Sequence, residues 1–355
     1  MIACTPVFRS LTTLLVVLSL LSLPVSAQDT APMTTSKIII AHRGASGYVP
    51  EHTLAAKTLA HEMGADYIEQ DVVLGRDNVP VVLHDLYLDA VSNVAEAFPG
   101  RAREDGRYYA IDFDVAELKS LHLHERIDPK TGEVKYPGRP ATTPAHMHIA
   151  TLAEEVAVIQ GLNKSTGRNV GLYVEIKSPA WHLQQGKDIS PLVLAVLEKS
   201  GYTHRTDPVM VQCFDPRELQ RIRTELGSYL TLVQLIGENS WNEAKTDYDQ
   251  MRTADGLRQI ASYADAIGPA IDQILVADTA GTITVTDLVV NAHASGLQVH
   301  PYTVRKDALP AYVTGFDELM ELLFVRAGVD GVFTDFPDLA VIYRNKMVPA
   351  VQGFK

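Results

Sequence analysis

The chain has 355 residues, of which 46% are hydrophobic, and a formal net charge of −12 at pH 7. That length and content supply one sizeable core without calling for a second domain. The acidic balance speaks against a nucleic-acid partner, because binding a phosphate backbone needs net positive surface.

The first segment reads as a secretory signal peptide over residues 1–27: Arg9, the apolar run Leu11–Leu23, then Val25-Ser26-Ala27 ahead of Gln28. The run is shorter than the roughly 20 residues of a spanning helix. Its removal leaves Cys213 as the only cysteine, so no intrachain disulfide can form. An exported chain of this size without disulfides fits a bacterial periplasm, with the cell surface as the alternative. Residues 28–355 read as a single domain.

After a polar leader, Lys37–Ala41 reads as a strand by its β-branched content. Thr53–Met63 has helical spacing and is stopped by Gly64. Asp66–Leu74 is a second strand, Asp77-Asn78 a turn and Val79–Leu83 a third strand. The rhythm then breaks. From Asp85 to Ile149 the turn dipeptides Pro99-Gly100, Asp105-Gly106, Thr131-Gly132 and Pro137-Gly138 recur. A stretch this long and irregular inside a compact domain reads as an insertion, about residues 86–149, covering a functional face.

Alternation then resumes. Helices are expected at Leu152–Leu162, Pro191–Lys199, Pro216–Leu226, Gly256–Ala264, Leu288–Ser295, Asp317–Ala327 and Pro337–Met347. Strands are expected at Asn169–Ile176, Val209–Phe214, Leu230–Ile236, Ala266–Gly268, Leu297–Val304 and Gly331–Thr334. About eight strands alternating with helices favour an α/β fold, a (β/α)8 barrel of the TIM type with a long insertion after the third strand.

The chemistry sits at strand ends. Side chains alternate along a strand with period two, so Glu69 and Asp71 share a face, as do Glu175 and Lys177. Three carboxylates crowded at one mouth disfavour one another's ionisation unless a cation intervenes. All-oxygen ligands select a hard ion, Ca²⁺ or Mg²⁺, over zinc. His42 and His84 offer an acid and a base near neutral pH. Asp85 beside His84 either orients that ring or makes a structural hydrogen bond. Arg43 and Lys177 are the nearest cations; Lys177 either contacts a bound anion or pairs with Glu175. Phe214 and Tyr302 line a pocket for an uncharged group or pack in the core. His122-Leu-His124 and His146-Met-His148 have zinc-like spacing but fall in the insertion, away from the strands. A G-x-S-x-G nucleophile elbow is absent.

The phrases His42-Arg43-Gly44, Glu69-Gln70-Asp71, His84-Asp85, Glu175-Ile176-Lys177, Val211-Gln-Cys-Phe, His300-Pro-Tyr-Thr-Val and Gly331-Val-Phe-Thr-Asp-Phe-Pro-Asp338 occur in this order. In that order the chain resembles the glycerophosphodiester phosphodiesterase family, most closely its secreted periplasmic bacterial branch, from about Ile38 to the closing helix. The resemblance implies a metal-dependent barrel hydrolase releasing sn-glycerol 3-phosphate and an alcohol from glycerophosphodiesters such as glycerophosphocholine or glycerophosphoethanolamine. It implies a catalytic pair His42 and His84, metal ligands Glu69, Asp71 and Glu175, and phosphate contacts at Arg43 and Lys177. Ca²⁺ is the expected cofactor, with Mg²⁺ as the alternative. Many family members carry Glu-Asn-Thr where this chain has Glu51-His52-Thr53, which leaves the role of Glu51 and His52 open.

The expected chemistry assigns His42 as base and His84 as acid, with water or the substrate's own glycerol hydroxyl as attacker. A surface binding or adhesion protein on the same barrel, and a phospholipase acting on membrane lipid, are the alternatives. The expected partner is a small glycerophosphodiester, with no nucleic acid and no stable membrane insertion. Head-group preference and oligomeric state are not legible.

Overall fold

The computed structural model describes residues 1–3, 37–139 and 147–347. Most of the expected signal peptide and His146 of the second H-x-H pair lie outside these residues. The chain falls into two units, Met1–Thr35 and Ser36–Lys355, and the second carries the elements described here.

Its strands in chain order are β1 (Ile38–Ala41), β2 (Tyr67–Leu74), β3 (Pro80–Val82), β4 (Gly171–Ile176), β5 (Val209–Cys213), β6 (Thr231–Ile236), β7 (Ala266–Pro269), β8 (Leu275–Ala277), β9 (Ile283–Val285), β10 (Gln298–Val299) and β11 (Gly331–Thr334). Eight of them form the parallel order β10-β7-β6-β5-β4-β2-β1-β11. Backbone bonds from Asp330 N to Val299 O (3.0 Å) and from Val304 N to Phe333 O (2.8 Å) tie the first of these to the last. The result is a TIM-type barrel with helices between its strands.

One expectation needs correction. The third strand, β3, does not belong to the barrel. It returns antiparallel along the outer end of β2, with Val72 opposite Val82 and Leu74 opposite Pro80. The reason is length. Five residues, Gly75–Val79, can close a hairpin but cannot cross over to a parallel position, which takes a dozen or more. Asn78 adopts φ +63° in this turn. The long excursion therefore follows a hairpin that rises from the barrel mouth. The hairpin of β8 with β9 went unread in the sequence, and the expected strand Leu297–Val304 is regular only at β10.

Two apolar layers position everything else. Outward residues such as Ile39, Ile68, Leu172 and Val211 pack under the surrounding helices. Inward residues Ile40, Tyr173, Met210, Val233, Ala266 and Phe333 fill the barrel interior. Residues 83–139 and 147–150 contribute Leu88, Val94, Phe113, Leu118 and Leu121 to a second, smaller core that they share with Val73 and Val81 of the hairpin. This excursion is built from short helices at Val94–Ala97, Ala110–Asp112 and Val115–Ser120. The last of these starts with a capping box between Asp114 and Glu117, which satisfies two free N–H groups at its start.

Candidate active site

The period of two that fills the barrel interior also builds the site above it. Two residues beyond Ile40 stands His42, beyond Tyr173 stands Glu175, beyond Met210 stands Gln212, and beyond Phe333 stands Asp335. Glu69 and Asp71 follow Tyr67 on β2 in the same phase. Asp71 lies opposite Glu175 in the β2–β4 ladder, and Glu175 opposite Gln212 in the β4–β5 ladder. Each side chain therefore emerges at the C-terminal mouth, where barrels of this type place their chemistry.

There, Glu69, Asp71 and Glu175 offer carboxylate oxygens that all lie within 4.8 Å of one another. They are buried, at 3%, 1% and 5% exposure. Burial, and then the charge of Asp71, push the Glu69 carboxyl up to about 8. Burial also drives Glu175 well above the usual carboxylate range. Burial alone would raise Asp71 too, but Lys177 and His52 outweigh it and hold Asp71 well below that range. Three carboxylates at this spacing thus cannot share full ionisation unaided.

The remaining contacts leave room for a cation. Arg43 N donates to Glu69 Oε2 (2.9 Å) and Gln212 Nε2 to Glu69 Oε1 (3.0 Å). Asp71 Oδ1 is buried with no hydrogen-bond partner among the described residues. An orphaned carboxylate oxygen inside an all-oxygen donor set fits a hard divalent cation, which would remove the repulsion.

The two histidines are mounted alike on different supports. His42 follows β1, and its Nδ1 lies 2.6 Å from Asp335 Oδ1. His84 follows the β3 return, and its Nδ1 lies 2.5 Å from Asp85 Oδ1. Both aspartates are held below the ordinary carboxylate range. Burial raises them, and it is outweighed at Asp335 by Arg305 and His42 and at Asp85 by His84 and Arg126. Being ionised, they can only accept, so each ring carries its proton on Nδ1 and keeps Nε2 as an open acceptor. Burial, then Arg43, lowers His42 to about 3 and His84 to about 4. Both rings are neutral at pH 7.

Arg43 and Lys177 line the same cavity, of about 430 Å³. Arg43 Nη1 grips both oxygens of Glu51 (3.0 and 2.9 Å). Lys177 Nζ donates to Glu175 Oε1 (2.7 Å). In this state, then, both expected phosphate contacts are engaged by carboxylates. Phe214 and Tyr302 form an edge-to-face pair in the wall (centroids 6.1 Å apart). The Tyr302 hydroxyl is spent on Ile236 O (2.9 Å), so the ring presents apolar surface. His122 and His148 approach each other (5.7 Å between ring centroids). Among the described residues, however, the cluster of three or more metal-ligating groups is the carboxylate trio.

Several functional groups were not read from the sequence. Asp335 and Gln212 were legible in principle, because each stands two residues past an inward apolar residue on a strand. Arg126 and Arg139 carry no such signal, since they come from irregular chain. Arg126 binds Glu51 (Nη2 to Oε1, 2.6 Å) and Asp85 (Nη1 to Oδ2, 2.5 Å). Arg139 binds Asp307 and Asp335 (both 2.7 Å).

Residues 42–339 match the model of the glycerophosphoryl diester phosphodiesterase family. A glycerophosphodiester phosphodiesterase of Haemophilus influenzae is 44% identical over 327 residues, covering 87% of this chain and 90% of that one. One of Treponema pallidum is 38% identical over 340 residues, covering 89% and 94%. A crystal structure from Silicibacter pomeroyi matches with TM-score 0.67 at 23% identity, covering 88% of this chain and 95% of that one. An Oleispira antarctica phosphodiesterase in complex with the product sn-glycerol-3-phosphate matches with TM-score 0.57 at 22% identity, covering 87% and 96%. The two structures share the fold.

Proposed function

The chain belongs to the glycerophosphodiester phosphodiesterase family, and we propose that it cleaves glycerophosphodiesters, glycerophosphocholine and glycerophosphoethanolamine among them, to sn-glycerol 3-phosphate and the alcohol. It is a phosphoric diester hydrolase by membership. The observation that carries the finer reading is the placement of two aspartate-mounted imidazoles at one cavity with the buried trio Glu69, Asp71 and Glu175.

Glu69, Asp71 and Glu175 would hold one cation, Ca²⁺ by their hard oxygen donors and Mg²⁺ as the alternative. When bound, the cation supplies charge stabilisation to the phosphate oxygens. His42 Nε2 accepts the proton of the attacking oxygen, from water or from the neighbouring glycerol hydroxyl, as the new P–O bond forms. Asp335 keeps that ring in the required tautomer and stabilises the imidazolium. His84 serves as the acid. A phosphodiester anion in the cavity raises its proton affinity, and the imidazolium then gives its Nε2 proton to the leaving alkoxide as the old P–O bond breaks. Arg43, paired here with Glu51, and Lys177, paired here with Glu175, are the cations nearest the cavity and would donate to the phosphate oxygens of a bound substrate. Phe214 and Tyr302 offer apolar wall to an uncharged part of the substrate.

Export to the periplasm belongs to the same proposal and rests on the leader sequence alone. No helix among the described residues is long and apolar enough to cross a membrane.

Purified protein supplied with Ca²⁺ should release glycerol 3-phosphate from glycerophosphocholine. Chelation should remove the activity, and Ca²⁺ should restore it more fully than Zn²⁺. Full turnover after rigorous metal removal would refute the carboxylate cage.

A further inference from the structure

Below the carboxylate trio runs a buried string of polar side chains that the proposed chemistry does not use. Lys57, on the helix Leu54–Glu62, is fully buried, as is Glu155, on the helix Leu152–Thr166; His52 is 2% exposed. The Lys57 ammonium faces two acceptors, His52 Nδ1 (3.1 Å) and the backbone oxygen of Glu69, and forms an ion pair with Glu155 Oε2 (3.2 Å). On its far side, His52 Nε2 lies 2.7 Å from Asp71 Oδ2.

The donor inventory fixes the protons along this string. An ammonium has three N–H donors and no acceptor. His52 Nδ1 must therefore accept from Lys57, and its ring proton sits on Nε2. That proton is donated to Asp71 Oδ2. One Asp71 oxygen is thereby occupied, and the other, Oδ1, is buried without a partner among the described residues. The backbone supports the same arrangement. His52 sits at φ +59°, a left-handed conformation that costs most residues strain but in which histidine is enriched several-fold. A segment that accepts this conformation while burying its side chain gains both hydrogen bonds in return.

We infer that His52, held in one tautomer by Lys57, is a positioning residue that turns Asp71 Oδ1 toward the divalent cation and so sets the affinity for it. This rests on the cation-dependent reading above, but concerns the residues behind the ligands. It also gives Glu51-His52 two distinct roles. Glu51 receives Arg43 and Arg126 at the mouth, while His52 works from behind. Since both His52 nitrogens are engaged, the ring neither ligates the cation nor moves a proton in turnover.

The test is a calorimetric Ca²⁺ titration of metal-free protein. His52→Gly removes the ring without straining the left-handed backbone, and should raise Kd about 10–100-fold, the usual cost of losing a group that orients a ligand. His52→Gln restores an N–H donor at similar reach and should recover most of the loss. An unchanged Kd in a His52→Gly protein that melts as a folded domain overturns the inference. A second measurement does not depend on a variant folding: nitrogen NMR of ¹⁵N-histidine-labelled parent protein. It should show His52 protonated at Nε2 and bare at Nδ1, and the opposite tautomer or an imidazolium overturns the inference. If the parent binds no Ca²⁺ at all, the metal reading itself fails, and the tautomer still decides the internal hydrogen bonding.

Discussion

The barrel and the excursion that covers it meet the same site on different terms. The barrel strands raise His42, Glu69, Asp71, Glu175 and Asp335 above an interior packed with Ile40, Tyr173, Met210 and Phe333. Their positions follow from pleat and register, which continuous ladders enforce. Residues 83–139 and 147–150 pack round a second small core, shared with Val73 and Val81 of the hairpin, and reach the mouth through Arg126 and Arg139. These two guanidiniums also brace the two imidazole rings, Arg126 through Asp85 to His84, and Arg139 through Asp335 to His42. Attaching the excursion and orienting the imidazoles are thus one set of interactions. On the proposed reading, the candidate ion ligands all come from barrel strands, whereas one of the two imidazoles, His84, comes from the excursion side.

That contrast can be broken by mutation. The largest effect is expected at the rings themselves. His42→Ala, from the barrel, and His84→Ala, from the excursion side, should each lower kcat by about 10²–10⁴ while leaving Ca²⁺ affinity near that of the parent. Near-normal kcat in both would end the acid–base assignment.

Arg126→Ala comes next. It leaves Glu51 and Asp85 short of a partner in a largely buried place, where side-chain exposures are 11% and 21%. Stability should fall by about 3 kcal/mol, the lower end for breaking a buried pair. A loosened His84 should cost up to about 10²-fold in rate. Ca²⁺ binding should persist, and its loss would show that excursion and ion site are not separable.

Acid should act more gently and in one direction. Glu51, Asp85 and Asp335 are all held below their ordinary range. Burial opposes this, and it is overcome at Glu51 by Arg126 and Arg43, at Asp85 by His84 and Arg126, and at Asp335 by Arg305 and His42. A depressed folded-state value means stability that is fully present above the unfolded value, about 4. It is lost as pH falls through the folded-state values. Hydrogen exchange should therefore find residues 83–150 opening before the barrel strands as pH drops below about 4. Simultaneous opening of both regions would contradict separate attachment.

The sequence made the barrel legible because apolar runs, helix caps and turn residues repeat in a simple order. Helix and strand limits such as Gly331–Thr334 and Pro337–Met347 follow from local pattern alone. The same period of two placed Glu69 with Asp71 and carried Glu175 to the same mouth. It misled at Val79–Leu83, where an apolar run counted as a barrel strand, although Asp77-Asn78 marks a hairpin too short for a crossover. Asp335 went unread because its role depends on which strand lies beside β1, and that neighbour, β11, is almost 300 residues away in sequence. Arg126 and Arg139 were hidden for a different reason. Irregular backbone has no period to read, and a guanidinium finds its carboxylate only once the chain has folded. His52 belongs to both cases, since the motif and Lys57 are local but Asp71, which its ring meets, comes from β2 and is reached only once the chain has folded.

The most direct test is a crystal of the protein grown with Ca²⁺, with the ion located by anomalous scattering. One site is expected, with carboxylate oxygens of Glu69, Asp71 and Glu175 at about 2.3–2.6 Å and both imidazole Nε2 atoms facing the same cavity. An ion held elsewhere, at His122 and His148 for example, or a trio left without one at saturating Ca²⁺, would contradict the account.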